Sequence, residues 1–227
     1  QALIDDDGEV LWVRRKLKPT HVERTIFGNG DGSDFKVVPT DIGNVGGLNC
    51  WEHLQPLSKY VMFDSNEQVH CAAWPFLNLY DGIAYSLGGE INMKVSAVYA
   101  LEGQCFVLAS TMVITPEIMD SLCQTDEQRA LMKVGGGCSK IFAPDGSQIS
   151  EDLPDDQEGL IFADLDLSMI HIARAAADPA GHYSRPDVVQ VLLDRTKRTP
   201  VVEIAPFGEG TVAAEETRDN TEDQPPL

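Results

Sequence analysis

The run VHCAAW, residues 69–74, constrains the fold more than any other part of the chain. It is short and continuous. It lacks the apolar–polar alternation of a strand with one wet face, so it reads as a strand buried on both faces. The run CFVLASTMVI, from residue 105, reads the same way. In FKVVPTDIGNVGGLNC the sequence offers two short strands around an Asp-Ile-Gly-Asn turn, the second running straight into Cys50. Between these runs lie segments with helical signals. EHLQPLSKYVMFDSNEQ spaces Leu54, Leu57, Tyr60 and Val61 at roughly helical intervals, with Pro56 tolerable only in a first turn. Residues 84–100 predict a helix with Gly88-Gly89 near its start, and residues 116–132 a surface helix pair.

The remaining elements complete a mixed pattern. ALIDDDGEVLWVRRKL reads as strand, Asp-Gly turn, strand. CSKIFAPDGSQISEDL reads as two strands around a Pro-Asp-Gly turn, and EGLIFADLDLSMI as a further strand. SRPDVVQVLLDR predicts a short helix with Ser184 as N-cap and Pro186 in its first turn. Strands interleaved with helices, followed by a strand-rich last third, indicate an α/β sandwich. No repeat period is present.

Composition narrows the function classes. A hydrophobic fraction of 43% and a charged fraction of 23% suit a globular chain with a real core. The formal charge of −19 argues against a nucleic-acid partner, because a polyanion would be repelled before specific contacts formed. No apolar run approaches the ~20 residues needed to span a bilayer, and there is no secretory leader pattern. The stretch after Pro206 is acidic, Pro-ended and poor in large apolar groups, so it reads as disordered from about residue 207.

The five cysteines at 50, 71, 105, 123 and 138 are odd in number and widely spaced. That excludes a closed disulfide framework, makes a structural zinc site a poor fit, and points to a reducing cytoplasm. The histidines at 21, 53, 70, 171 and 182 are equally scattered, with no metal-binding spacing. A hairpin at the first residues and the lack of an initiator Met predict that the chain begins inside a domain, as a fragment.

Cys50 is the candidate of chemical interest. A strand that ends in a reactive group presents it at the sheet edge, where sites in layered α/β proteins gather. Yet free cysteine is among the most buried residue types and commonly acts as a small hydrophobe. A reactive thiol needs help to form the thiolate, and the basic cluster Arg14-Arg15-Lys16 offers an ammonium. The same cluster also reads as a solvated strand end. His53 would reach the thiol only if the turn after Cys50 folded back. Cys71 and Cys105 sit inside apolar strands, and Cys138 follows Gly135-Gly136-Gly137; all three read as structural.

RRKLKPTHVER, VGGLNCWEHLQPLSKY, AAWP and DPAGHYSRPDVV occur in this order between residue 2 and about residue 195. Together they resemble the nitrilase branch of the carbon–nitrogen hydrolase superfamily. CWEHLQPLSKY with DPAGHYSRPDV is especially similar to bacterial arylacetonitrilases. Trp-Glu-His after the cysteine, in place of an Asp-x-Arg type of sequence, resembles the nitrile-cleaving members rather than the amidases and carbamoylases.

The resemblance implies a four-layer α-β-β-α sandwich over residues 1–195, incomplete at its N-terminus, with 196–227 as a C-terminal extension. It implies a Glu–Lys–Cys triad in which Cys50 is the nucleophile and Lys16 stabilises the charge that develops on nitrogen. Glu23 matches a second glutamate of the family motif, and the triad's own glutamate would lie upstream of residue 1. It implies an organic nitrile, of arylacetonitrile type, hydrolysed to acid and ammonia through a thioimidate and a thioester, with no metal and no organic cofactor. Cyanide-degrading and aliphatic nitrilases carry the same triad and motif, and an inactive oligomerising fragment is the reading from another class. Trp51, Glu52 and Trp74 are expected at the substrate, although plain core packing explains the tryptophans equally and a basic partner would explain Glu52. The resemblance also implies a homo-oligomer, a dimer extending into a spiral, with contacts through the helices after Cys50 and Tyr80.

Overall fold

The computed structural model describes residues 1–78 and 83–199. Tyr80, and the acidic stretch expected to be disordered from about 207, lie outside the described residues. Gln1–Lys197 forms one compact unit.

The two-face-buried runs become the middle of a five-stranded sheet. β1 (Ala2–Ile4) and β2 (Val10–Val13) pair separately as the N-terminal hairpin. β3 (Val38–Thr40) and β4 (Gly43–Asn49) form the second hairpin. A 3-10 turn, Cys50–Leu54, then leads into α1 (Pro56–Asp64), with Pro56 in the first turn as expected. β5 (Val69–Trp74), α2 (Gly89–Gly103) and β6 (Phe106–Thr111) follow, then α3 (Pro116–Leu122), α4 (Asp126–Leu131), β7 (Lys140–Phe142) and α5 (Ser168–Ala176). The sheet order is β3-β4-β5-β6-β7, with β4, β5 and β6 parallel and both edges antiparallel.

This topology decides where the layers go. Two successive parallel crossovers that advance in one direction across a sheet place both helices on the same face, because such crossovers share one hand. α1 and α2 are those helices, and they touch each other. The adjacent glycines of β4 show what covers each face, since neighbouring Cβ atoms point to opposite sides of a sheet. A Cβ on Gly46 would meet Glu67 and the Met62 side chain of α1; one on Gly47 would meet Gln1 of the hairpin and the Cys71 carbonyl. The sheet therefore lies between a helix layer and the β1–β2 hairpin, which are three consecutive layers of an α-β-β-α stack. Gln1 clamps the hairpin down by donating from Nε2 to the carbonyls of Cys71 (2.9 Å) and Leu48 (3.3 Å).

The core sits between the sheet and the helices, around Leu48, Met62, Ala72, Trp74, Tyr99 and Val107. A large apolar side chain buried as completely as Leu48 or Phe106 contributes about 1.5–3 kcal/mol. α2 ends where Gln104 takes the left-handed conformation at φ 49° and its side chain reaches the Ala173 carbonyl of α5.

Three expectations need correction. EGLIFADLDLSMI forms no ladder among the described residues, although its side chains do alternate between more and less exposed. Its pattern is that of a strand, but Leu160 and Phe162 remain about four-fifths exposed and no neighbouring backbone pairs with it. Its last residues instead begin α5, an unforeseen helix whose first turn is held by Asp166 accepting from the Ser168 amide at 2.9 Å. The helix expected from Ser184 is only a turn, in which the Val188 and Val189 amides donate to the Arg185 carbonyl. Val188, Val189 and Leu192 are exposed there, and an isolated short helix without an apolar face to bury is marginal. The second strand of CSKIFAPDGSQISEDL shrinks to a single bridge between Phe142 and Gln148. No described helix is long and apolar enough to cross a membrane.

Candidate active site

β4 ends at Asn49 in extended conformation, and the chain then turns sharply: Cys50 has φ +50°. That left-handed conformation costs a non-glycine residue about 1–3 kcal/mol and persists only where the surroundings impose it. The position is the carboxyl end of a parallel strand, beside the end of β5.

Glu52 is one source of the constraint. Its carboxylate accepts from the Asn49 amide (2.8 Å), which closes the turn onto the strand end. It also accepts from the Leu17 amide (2.9 Å) and takes a two-pronged grip on Arg14, Nη1 and Nη2 each donating at 2.7 Å. Both side chains of the pair are buried. Arg14 donates further to the Gly47 carbonyl at 3.2 Å. One carboxylate thus ties the turn after Cys50 to the segment carrying Lys16. That segment is held from its other side by Asp34, which accepts from the Arg15 amide (2.8 Å), and by the Gly30 amide, which donates to the Lys16 carbonyl (2.9 Å).

Between these clamps the Lys16 ammonium donates to Thr20 Oγ1 (2.7 Å) and Glu23 Oε2 (2.8 Å). These bonds use two of its three N–H groups. Its side chain is only 10% exposed. Burial raises the Glu23 pKa, but Lys16 and the Thr20 amide outweigh it and hold the carboxyl below its ordinary 4.5. Glu23 is therefore ionised at neutral pH, and Lys16 has a fixed counter-charge.

Cys50, Lys16 and Glu23 line one cavity of about 520 Å³, together with Phe27, Trp74 and Pro75. The Cys50 thiol is pushed above its ordinary 9.0 mainly by burial; Lys16 and the Trp51 amide pull the other way, and Glu23 and Glu52 add to the rise. At neutral pH the resting group is a thiol, and a base must take its proton before it can attack. Cys71 and Cys138 are each pushed up to about 11, mainly by burial, and burial also pushes the completely buried Cys105 well above the ordinary 9.0.

Trp74 lines the cavity but is largely committed elsewhere. Its ring is buried, stacks on His53 with centroids 4.9 Å apart, and donates from Nε1 to Ser96 Oγ at 3.0 Å. Trp51 and Glu52, expected beside the substrate, do not line this cavity. They border a separate cleft with Leu17, Thr20 and His21, and Trp51 donates to Asn92 Oδ1 at 3.2 Å. Glu52 has the basic partner that its sequence position allowed. Among the described residues no three His, Cys, Asp or Glu side chains are placed to hold a metal ion.

Sequence reasoning weighed His53 only against the thiol and passed over the three residues behind it, His70, Glu67 and Tyr99. His53 does not approach the thiol; its Nδ1 lies 2.5 Å from the Cys50 carbonyl oxygen. Behind it, His53 Nε2 lies 2.9 Å from His70 Nε2, and His70 Nδ1 lies 2.8 Å from Glu67 Oε1. Tyr99 donates to Glu67 Oε2 at 2.6 Å. The signal was present at His70, the polar residue inside VHCAAW, because a ring buried on both faces of a sheet must have a partner.

The geometry can be set beside known proteins. The family model described as carbon-nitrogen hydrolase matches residues 1–175. "Nitrilase, arylacetone-specific" from Alcaligenes faecalis is 50% identical over 204 residues, covering 90% of this chain and 57% of the relative. An "aliphatic nitrilase" from Rhodococcus rhodochrous is 51% identical over 209 residues, covering 92% and 55%. The chain therefore spans less than two thirds of the length of these relatives. A crystal structure of a carbon-nitrogen hydrolase from Helicobacter pylori G27 superimposes with a TM-score of 0.67 at 17% identity, covering 82% of this chain and 62% of the other. That likeness concerns the fold alone.

Proposed function

The chain belongs to the carbon–nitrogen hydrolase family, and from that premise we propose that the whole protein is a nitrilase with Cys50 as its nucleophile. The observation that carries the reading is the shared cavity: a half-buried thiol at a strained strand end, facing a lysine whose charge is fixed by Glu23.

The chemistry suits these groups. A nitrile carbon is a poor electrophile, and a thiolate is the strong, soft nucleophile it requires. The Cys50 proton goes to a carboxylate base, the triad glutamate that the family pattern places before residue 1. Sulfur attacks the nitrile carbon, one C–N π bond breaks, and the nitrogen takes up charge that the Lys16 ammonium stabilises. Protonation gives a thioimidate. Water adds, ammonia leaves, and a second water cleaves the thioester, so that one nitrile and two waters become one acid and one ammonia. The base glutamate returns a proton to nitrogen and activates the waters in turn. Glu23 orients Lys16. Glu52 and Trp51 act from outside the cavity by holding the turn that carries Cys50, and Trp74 supplies part of a wall.

The substrate class is an arylacetonitrile, because Phe27 and Trp74 in the cavity lining offer aromatic area to an aryl ring. An aliphatic nitrile is the second reading, favoured by a relative of that name at the same level of identity. The protein works as a homo-oligomer in the cytoplasm, the latter because all five cysteines are free. The test is ammonia release by the full-length protein from phenylacetonitrile and from an aliphatic nitrile of similar length. Cys50→Ala is expected to abolish turnover, while Cys71→Ala, Cys105→Ala and Cys138→Ala keep most of it; a Cys50→Ala enzyme that still turns over would sink the mechanism. Turnover by the 227-residue chain alone would refute the inactive-fragment reading.

A further inference from the structure

The row Cys50 carbonyl, His53, His70, Glu67 can be solved as a proton count. It has three contacts, each short enough to require one hydrogen. The Cys50 carbonyl can only accept, so His53 Nδ1 must carry a proton. A neutral imidazole carries one proton, so His53 Nε2 must then accept, and His70 Nε2 must donate. The last contact closes in one of two ways. Either His70 also carries a proton on Nδ1 and faces an ionised Glu67, or Glu67 is protonated and donates to a bare Nδ1. Both solutions hold three protons and have no net charge. Both fix His53 as the same tautomer. Tyr99, donating to the other Glu67 oxygen, fits both.

The surroundings support a device rather than a chance contact. His53, His70, Glu67 and Tyr99 are essentially inaccessible to solvent. Gly46 has no room for a side chain, because a Cβ there would lie 2.1 Å from Glu67 Oε1. Burial, followed by the neighbouring His70, holds the His53 pKa well below its ordinary 6.5, so His53 does not take a second proton at neutral pH.

We propose that this buried row is a positioning device for the nucleophile: through the single Nδ1 proton of His53 it pins the Cys50 carbonyl, and with it the left-handed backbone that presents the thiol to the Lys16 cavity. His53, His70 and Glu67 are positioning residues, since none touches the cavity. The inference takes Cys50 as nucleophile from the reading above, but its test reads the thiol and the ring directly.

The full-length protein is treated with iodoacetamide, and alkylation is followed on each cysteine by mass spectrometry. Glu67→Leu removes the terminal partner and frees His70 to flip. Cys50 alkylation should slow roughly tenfold, the population change expected when a left-handed residue is released to relax. Glu67→Gln should restore it, because its amide N–H can donate to His70 Nδ1 while its carbonyl accepts from Tyr99, which reproduces the protonated solution. Phenylacetonitrile kcat should follow the same order with KM little changed. Glu67→Leu at the parent rate, or Glu67→Gln as slow as Glu67→Leu, would overturn the proposal. Alkylation of the completely buried Cys105 reports an unfolded variant. In that case solid-state ¹⁵N spectra of the unmodified, histidine-labelled protein decide: a proton on His53 Nδ1 and none on Nε2 is required, and the opposite tautomer would refute it. Absence of nitrile turnover with the alkylation order intact would count against the nitrilase reading alone.

Discussion

On the hairpin side of β4, Arg14 and Glu52 meet as a full ion pair at 2.7 Å. On the helix side, Glu67 meets His70 and Tyr99 at similar distances, and His70 in turn meets His53. Both assemblies are buried, and both end on the turn that carries Cys50. They differ in what they can exchange. The guanidinium of Arg14 does not give up its proton, so its charge requires the Glu52 carboxylate. The histidine row can trade charge for a shifted proton, because both solutions are neutral. Charge fixes the segment carrying Lys16, and a proton pattern fixes the Cys50 carbonyl. The first arrangement holds two distant segments together; the second selects one conformation of one residue.

The difference breaks most visibly at Arg14. Arg14→Met fills much of the same space but leaves Glu52 as an unpaired buried charge, a change that typically costs about 3–5 kcal/mol. Urea unfolding of the full-length protein should show that loss. A cost under about 1 kcal/mol would mean that water or another cation already compensates Glu52, and that the pair does not organise the site.

Tyr99→Phe sharpens the comparison from the other side. It keeps the ring and removes only the hydroxyl that donates to Glu67 Oε2. If Glu67 is ionised, the lost bond is charge-assisted and the expected cost is about 1.5–3 kcal/mol. If Glu67 is protonated, the lost bond is neutral and the cost is about 0.5–1.5 kcal/mol. A cycle of Tyr99→Phe with Glu67→Gln separates the two, because removing the hydroxyl in the Glu67→Gln background measures a bond to a neutral partner.

Much of this was legible in the sequence, and the rest was not for definite reasons. The buried runs VHCAAW and CFVLASTMVI announced central strands, and Pro56 announced the start of α1. Cys50, Lys16 and Glu23 were named together only by the resemblance to the nitrilase branch, and all three line one cavity. Arg14–Glu52 was not, because 38 residues separate the partners and a basic cluster at a strand end ordinarily reads as solvated. His53 was weighed only as a partner for the thiol; a contact to the carbonyl of the same residue depends on the left-handed turn, which sequence does not specify at a cysteine. α5 was hidden because LIFADLDLSMI alternates, and periodicity cannot report that no neighbouring strand is there to pair with it.

The smallest expected effect concerns Cys71, which pairs with Gly47 across the sheet and lies within the field of Glu67. Its pKa is pushed up to about 11, by burial first and, where Glu67 is ionised, then by that charge. The unfolded chain releases this proton near the ordinary value of 9.0, two units earlier. The folded state binds the proton more tightly, so the stability it contributes is complete below pH 9.0 and is lost as pH rises toward 11. Between about pH 8 and about pH 10 the loss amounts to about 1 kcal/mol. Urea unfolding at the two pH values should show it, and Cys71→Ala should flatten the slope by that amount. Glu67→Gln removes the charge but not the burial, so it should flatten the slope only partly. A slope unchanged by Glu67→Gln would place the Glu67 proton on the carboxyl and favour the protonated solution of the histidine row.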